Sequence, residues 1–397
     1  KVTNISNDKY KESDFSLKEG LEAKASRKNE GTTKMGLTAD SFVNKSRNFT
    51  KVKFQVTDGY ITITPKGFAA NDLNVEKPAD VIYKGQPQQQ KPVVKDGDKR
   101  LKEGVDYTLT FTDAINAGEV TVTVRGKGNY DGIKTVKYQI SPRQVMLVSE
   151  NGTKPYDGTP LTKSNVTGWE QDGDTGFVTG EVSDVKATGS VTYVSEGQVT
   201  NTIVYIEREN FKADNYTIKK NEGKLSIIAA NVEKSMLVNS PQDFTYDSNE
   251  HKWIPTVTDK DRNALAAGTD YTVSYSTDDF TNVTGNIVVT ITGVGNYSGN
   301  IERSYQITPA PLKVTTGSAE KPFDGTPLTN GEISIEGFVN GEEPSYAATG
   351  LQTKVGESNN TYAIVWTDTV KSTNYRVAEE HLGTLKVTPA NPMLTVT

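Results

Sequence analysis

What most constrains this chain is a spacing. An Asn-aromatic pair occurs five times, as Asn48-Phe49, Asn129-Tyr130, Asn215-Tyr216, Asn296-Tyr297 and Asn374-Tyr375, at intervals of 81, 86, 81 and 78 residues. Each pair is followed 13 to 17 residues later by the close of an apolar alternating run, at Pro65, Pro142, Ala229, Pro309 and Pro389. A period of roughly 80 residues is too long for a solenoid unit and fits a small self-contained β-domain. The chain reads as a series of beads.

A second layer of repetition sorts the beads into two alternating kinds. Lys154-Pro-Tyr-Asp-Gly-Thr-Pro-Leu-Thr162 returns as Lys321-Pro-Phe-Asp-Gly-Thr-Pro-Leu-Thr329, a shift of 167, and Asn129 to Asn296 is the same distance. The larger repeat is therefore a pair of domains, A then B. The A copies carry Gly104-Val-Asp-Tyr-Thr-Leu-Thr-Phe111 with Gly126-Lys-Gly-Asn-Tyr130, and Gly268-Thr-Asp-Tyr-Thr-Val-Ser-Tyr275 with Gly293-Val-Gly-Asn-Tyr297.

Inside each bead the hydrophobic period is two. Val120, Val122 and Val124 alternate with threonines, and Ile287, Val289 and Ile291 occupy the cognate run. Alternation of this kind, dense in Val and Thr and punctuated by Gly and Pro, predicts half-buried strands. One apolar face per strand requires a partner sheet, so each bead is expected to be a β-sandwich. The expected domains are 1–65, a truncated B bead; 66–142, type A; 143–229, type B; 230–309, type A; 310–390, type B; and 391–397, the opening of another bead. Both ends read as cut from a longer protein. Near-zero linkers such as Ser141-Pro142-Arg143 predict a semi-rigid extended rod, on the order of 15–20 nm for domains of this size.

Composition narrows the function classes. Hydrophobic residues make up 34% of the 397, below the roughly 45–50% (Gly included) of an average domain, as thin cores in many small domains require. Formal charge is −6 from 44 basic and 50 acidic residues. With no basic stripe, nucleic acid is not an expected partner. No apolar run is long enough for a membrane helix. The absence of cysteine favours a bacterial exterior over a disulfide-built eukaryotic one.

The Gly-x-Gly-Asn-Tyr element lacks the following helix that a phosphate cradle needs. It is read as a tight connection in which Gly and Asn accept positive φ, with the Tyr hydroxyl bonded to backbone as in a tyrosine corner. In Tyr-Asp-Gly-Thr-Pro-Leu-Thr the Asp-Gly marks a turn, and Tyr156 or Phe323 is expected to anchor it to the core. The A beads carry weaker equivalents at Tyr83-Lys-Gly85 and Tyr246-Asp-Ser248. The pairing of these two motifs resembles the MBG/YDG-type Ig-like repeats of large bacterial surface proteins, over about residues 1–390. The resemblance implies Ig-like beads in a cell-surface adhesin or modular exoenzyme, most often acting as a stalk.

Chemistry is sparse. His251 and His381 lie in different beads without ligand-spaced neighbours, and no nucleophile elbow or carboxylate pair is present. No catalytic residue, metal ligand or cofactor is assigned. Asp172-Gly-Asp174 and Asp96-Gly-Asp98 offer oxygen ligands for calcium, with a solvated turn as the plainer reading. Intramolecular Lys–Asn links would suit a cysteine-free stalk, though no signature marks one. Candidate ligand-binding residues are Trp169, beside Glu170-Gln-Asp-Gly-Asp174; Phe338, taken as its counterpart near Asn340-Gly-Glu-Glu343; and Trp253, which has no aromatic match in the other A bead. A core aromatic is the competing reading for each. The expectation is a monomeric, non-enzymatic stalk on a bacterial cell surface. The alternatives are direct binding of host glycans or mucin, and accessory modules of a secreted carbohydrate-active enzyme.

Overall fold

A computed structural model describes residues 1–69 and 73–395. Among them the regular structure is β-strand, broken only by three-residue 3-10 turns. The chain is a tandem array of Ig-like β-sandwich domains. It forms two compact units, one of residues 1–150, 163–188 and 201–223, the other of 151–162, 189–200 and 224–397. The strands of the repeat at 143–229 are thus shared between them.

In the first unit the A repeat has a four-stranded sheet ordered Tyr107–Phe111, Gly118–Gly126, Ile133–Ser141, Val81–Ile82. The first three are antiparallel, and Val81–Ile82 closes parallel to Ile133–Ser141. Opposite lies a sheet ordered Leu73–Val75, Val94–Asp96, Lys99–Arg100. Val120, Val122 and Val124, the face read from sequence, are all 0% exposed. The alternation works because a strand's successive side chains point to opposite faces. The B strands of this unit pair as Val166–Thr167, Arg143–Ser149 and Tyr216–Asn221, with Val182–Ala187 against Ile203–Glu207.

The second unit repeats the A sheet in the same order, with Tyr271–Tyr275, Asn286–Gly293, Asn300–Thr308 and Phe244–Thr245. Its last repeat pairs Ile333–Glu336, Ala310–Thr316 and Tyr375–His381 on one side. Ala319–Pro322, Thr384–Thr388 and Gly356–Asn359 pair on the other. Residues 391–395, expected to open another bead, have no regular structure, and 396–397 lie outside the described residues.

The Gly-x-Gly-Asn-Tyr turn is built by its glycines alone. A Cβ on Gly126 would sit 2.6 Å from the backbone N of Asp131, and one on Gly293 2.6 Å from that of Ser298. Gly128 and Gly295 take φ of +65° and +66°, where a side chain is strained. The Asn that follows does not share that conformation, contrary to the expectation. Its side chain has another use.

The first repeat departs from the other B-type repeats. Each B-type Tyr of the pair follows a 3-10 turn, Ala213–Asn215 or Ser372–Asn374. The first repeat has two such turns, Glu12–Asp14 before Phe15 and Ala39–Ser41 before Phe42. Ser41 is buried, as Asn215 and Asn374 are, whereas Asn48 is exposed. The strand Phe42–Asn44 runs antiparallel to Phe15–Leu17, whereas Tyr216–Asn221 and Tyr375–His381 run parallel to their partners, so the first repeat is built differently from the other B-type repeats. The repeat holds its shape instead with a cluster of Tyr10, Phe15, Phe42, Phe49 and Phe54.

Candidate functional site: the repeat junctions

The Asn of four of the five pairs reaches back into the preceding repeat. Asn129 Oδ1 accepts from the Glu30 amide at 2.7 Å, Asn215 Oδ1 from Ala117 at 2.7 Å, Asn296 Oδ1 from Val194 at 3.1 Å, and Asn374 Oδ1 from Val283 at 2.9 Å. At three of these the amide end of the same side chain donates to another asparagine: Asn29, Asn116 or Asn282. Asn116 and Asn282 are themselves fixed by turns on Asp113 and Asp279, whose carboxylates accept from the Asn side chains at 2.6 and 2.8 Å. Asn fits this place because one planar amide both accepts and donates. Asn215 and Asn374 are 0% exposed, so every such bond left unmade would cost a desolvation penalty.

The aromatic partner does a second job. At three of the four junctions an aromatic ring from the preceding repeat stands edge-on to the Tyr. Tyr83 meets Tyr216 with centroids 5.6 Å apart at 84°, Tyr156 meets Tyr297 at 5.6 Å and 83°, and Tyr246 meets Tyr375 at 5.4 Å and 80°. This is the T-shaped geometry the ring quadrupole favours, worth about 0.5–1.5 kcal/mol beyond area burial.

The A-to-B junctions add a carboxylate between the two rings. Glu181 accepts from the Tyr83 hydroxyl at 2.6 Å on one oxygen and from Tyr216 at 2.7 Å on the other. Glu342 does the same with Tyr246 at 2.7 Å and Tyr375 at 2.5 Å. The Val178 and Val339 amides donate to the Tyr216 and Tyr375 hydroxyls. The hydroxyl of these tyrosines therefore donates to a carboxylate, and backbone supplies only a donor; in the Gly-x-Gly-Asn-Tyr element itself, the site of the expected tyrosine corner, the Tyr130 hydroxyl likewise donates to a carboxylate, that of Asp96 at 2.9 Å. Burial, then the adjacent carboxylate, makes all four tyrosines ionise later than a free tyrosine, Tyr246 being pushed up to about 12. The signal for this site was the Tyr at 83 and 246, read from sequence only as a turn anchor.

The candidate ligand residues fall out differently. Trp253 is 9% exposed and belongs to the core of the second unit, so an exposed role is not what the fold gives it. Phe338 packs at 5.1 Å and 68° on Tyr375, and Phe177 holds the same place on Tyr216 at 5.1 Å and 69°. Phe177, not Trp169, is thus the counterpart of Phe338. Both lead the same run, Phe-Val-x-Gly-Glu, ending at Glu181 and Glu342.

Trp169 instead lies on an insertion. Strand register equates Thr167 with Ser334, since they pair with Val148 and Thr315 of matching strands. Nine residues then separate Thr167 from Phe177, but three separate Ser334 from Phe338. The extra residues are folded around Arg143, which is 0% exposed. Its guanidinium donates to the carbonyls of Gly176, Gly173 and Thr175, each at 2.7 Å, and to Tyr83 at 3.3 Å. The equivalent of Arg143 in the last repeat is Ala310, where there is no insertion to hold. Trp169 itself is half-buried against the first-unit core.

Two of the four calcium candidates are engaged with protein groups: Asp96 with Lys66 and the Tyr130 hydroxyl, and Asp174 with Lys84. Among the described residues no three His, Cys, Asp or Glu side chains gather as a metal site. The buried polar side chains, again among the described residues, include no lysine for a Lys–Asn link. His251 stacks on Phe244 and bonds Asp247 at 2.8 Å, a structural arrangement.

No protein-family model matches the chain, and no curated protein sequence does. Among solved structures it is similar to the I9–I11 tandem of titin, at 12% identity over 59% of this chain and 98% of that one, TM-score 0.20. It is also similar to the cadherin domains 1–5 of protocadherin gamma B2, at 9% identity over 83% of this chain and 82% of that one, TM-score 0.20. Drosophila N-cadherin EC1–4 matches at 10% identity over 79% of this chain and 99% of that one, TM-score 0.17. The fold class stands on the strand pairing of the chain itself. Among the described residues no helix is long and apolar enough to cross a membrane.

Proposed function

We propose that this array is a structural stalk of a bacterial cell-surface adhesin, a spacer that presents a distal functional region. The supporting observation is the repeated junction: at four places an Asn side chain is bonded to the backbone of the repeat before it, and at three an edge-on aromatic pair joins it. Chemistry spent on fixing one domain against the next serves load and reach rather than turnover. The zero-cysteine composition and the resemblance to MBG/YDG-type repeats favour an exterior bacterial setting. The test is single-molecule pulling of the chain. A stalk is expected to give junction-dependent unfolding events, shifted to lower force by Asn215→Ala and Asn374→Ala. Forces unchanged by both substitutions would remove the support.

A second reading, direct binding of host glycans or mucin, is favoured by one observation, the half-exposed Trp169 on an insertion that the last repeat lacks. A glycan and mucin panel with Trp169→Ala as control separates the two. Binding lost in the variant would make that repeat adhesive, and none above background would leave the spacer.

A further inference from the structure

The edge-on aromatic recurs at three junctions, but the motif that supplies it also occurs a fourth time. Phe323 occupies the place of Tyr156 in the duplicated Lys-Pro-aromatic-Asp-Gly-Thr sequence. Their backbones are held alike, by bonds to Thr388 O and Ile228 O, and so are their turns, where Asp324 and Asp157 each accept from a Thr amide at 2.9 Å. Tyr156 is covered by Tyr297, while Phe323 is 44% exposed.

The backbone half of the junction is bare as well. Val194 lies three residues after Val191, which pairs with Leu161; Val355 lies three after Gln352, which bridges Leu328. Counted from those pairs the two valines take the same place, although the loop that follows is two residues shorter in the last repeat and lacks the 3-10 turn Val194–Glu196. The Val194 amide is taken by Asn296 Oδ1. No acceptor meets the Val355 amide among the described residues, and Val355 is 52% and nearby Leu351 56% exposed.

We infer that the face formed by Phe323 and Val355 is a docking surface for a further A-type repeat presenting an Asn-Tyr pair. It continues an interface the molecule already makes: one copy of the face is covered at Tyr156 and Val194 by the A repeat 230–309. The residue type selects that occupant. At A-to-B junctions the first ring must be Tyr, because its hydroxyl donates to Glu181 or Glu342. At the B-to-A junction the hydrogen bonds run through Asn296, and the Tyr156 contact is the ring alone. Phe in place of Tyr loses nothing there, so Phe323 fits an A-type partner and not a B-type one. The inference rests on junction geometry and is independent of the stalk reading.

The experiment extends the chain after Pro389 with a second copy of residues 230–309 and follows amide hydrogen exchange. The Val355 amide is expected to slow at least about tenfold, toward the rate of the Val194 amide in the same molecule, and Phe323→Ala in the extended chain is expected to reverse this. An unchanged Val355 rate with Val194 still protected would overturn the inference. So would concentration-dependent dimerisation of the parent chain that protects Val355, since the occupant would then be a second copy. Should the extension misfold, Tyr156→Phe in the parent chain decides: Val194 protection is expected to stay within about twofold, and its loss refutes the claim that Phe suffices at this junction.

Discussion

Removing one hydroxyl at the first A-to-B junction should have an effect set by how well water can replace it. Tyr83→Phe keeps the ring, and with it the edge-on contact to Tyr216, but deletes the donor 2.6 Å from Glu181. Glu181 is 5% exposed, so solvent cannot supply the missing donor, and its other oxygen keeps the Tyr216 bond. A hydrogen bond to a charged group contributes about 1.5–3 kcal/mol. We expect a loss of about 2 kcal/mol at this junction, on the order of a 30-fold rise in its opening constant at about 1.4 kcal/mol per factor of ten. The same change at the second junction, Tyr246→Phe, should cost less, about 1 kcal/mol, because Glu342 is only part-buried and water can hydrate it. Global unfolding of a multidomain chain is not a two-state quantity, so the assay is native-state hydrogen exchange. The amides to follow are Ala117, bonded to Asn215, and Val178, bonded to Tyr216. A Tyr83→Phe effect below about 0.5 kcal/mol would refute the argument. An effect of Tyr246→Phe as large as that of Tyr83→Phe would refute the part that depends on burial.

Two further outcomes follow from the same geometry. The four junction tyrosines hold their protons more tightly folded than unfolded, so their contribution is complete below an unfolded pKa of about 10 and lost as pH rises beyond it. Urea midpoints should be flat to about pH 10 and fall toward the value of about 12 given for Tyr246; Tyr83→Phe with Tyr246→Phe should flatten the fall, and an unaltered slope would disprove the assignment. Arg143→Lys keeps the charge but cannot fork to four carbonyls. It should cost about 2–4 kcal/mol, with faster exchange through residues 168–176, and a thermal unfolding profile matching the parent would exclude the role given to Arg143.

Strand identity was open to reading because period-two alternation is local: Val120, Val122 and Val124 declare their face without knowledge of the partner sheet. The 167-residue pairing of repeats was equally plain, since duplicated turns keep their Gly, Asp and Pro. What did not show was the use of the polar members. An Asn before a Tyr looks the same whether it bends the chain or bonds a backbone amide nearly a hundred residues earlier, and only three-dimensional proximity tells these apart. The alignment of Trp169 with Phe338 failed because a six-residue difference in loop length hid the true match, Phe177 in Gly-Phe-Val-x-Gly-Glu. Asn48 misled for a different reason: it carries the two-residue motif but is exposed, where Asn215 and Asn374 are buried. Trp253 has no aromatic counterpart in sequence, yet it is buried because its repeat has its own core solution.

The alternation of junction types limits how such a gene can grow. An A-to-B boundary needs a Tyr on one side and the Glu and Tyr on the other, while a B-to-A boundary asks for an Asn, joined at Tyr156 and Tyr297 by a ring pair. Duplicating a single repeat would abut like with like and strand a carboxylate or leave an acceptor ring without its mate. Copying the 167-residue pair reproduces both boundaries intact at once. The heritable unit of lengthening is therefore the pair, and natural length variants of this array should differ by even numbers of repeats.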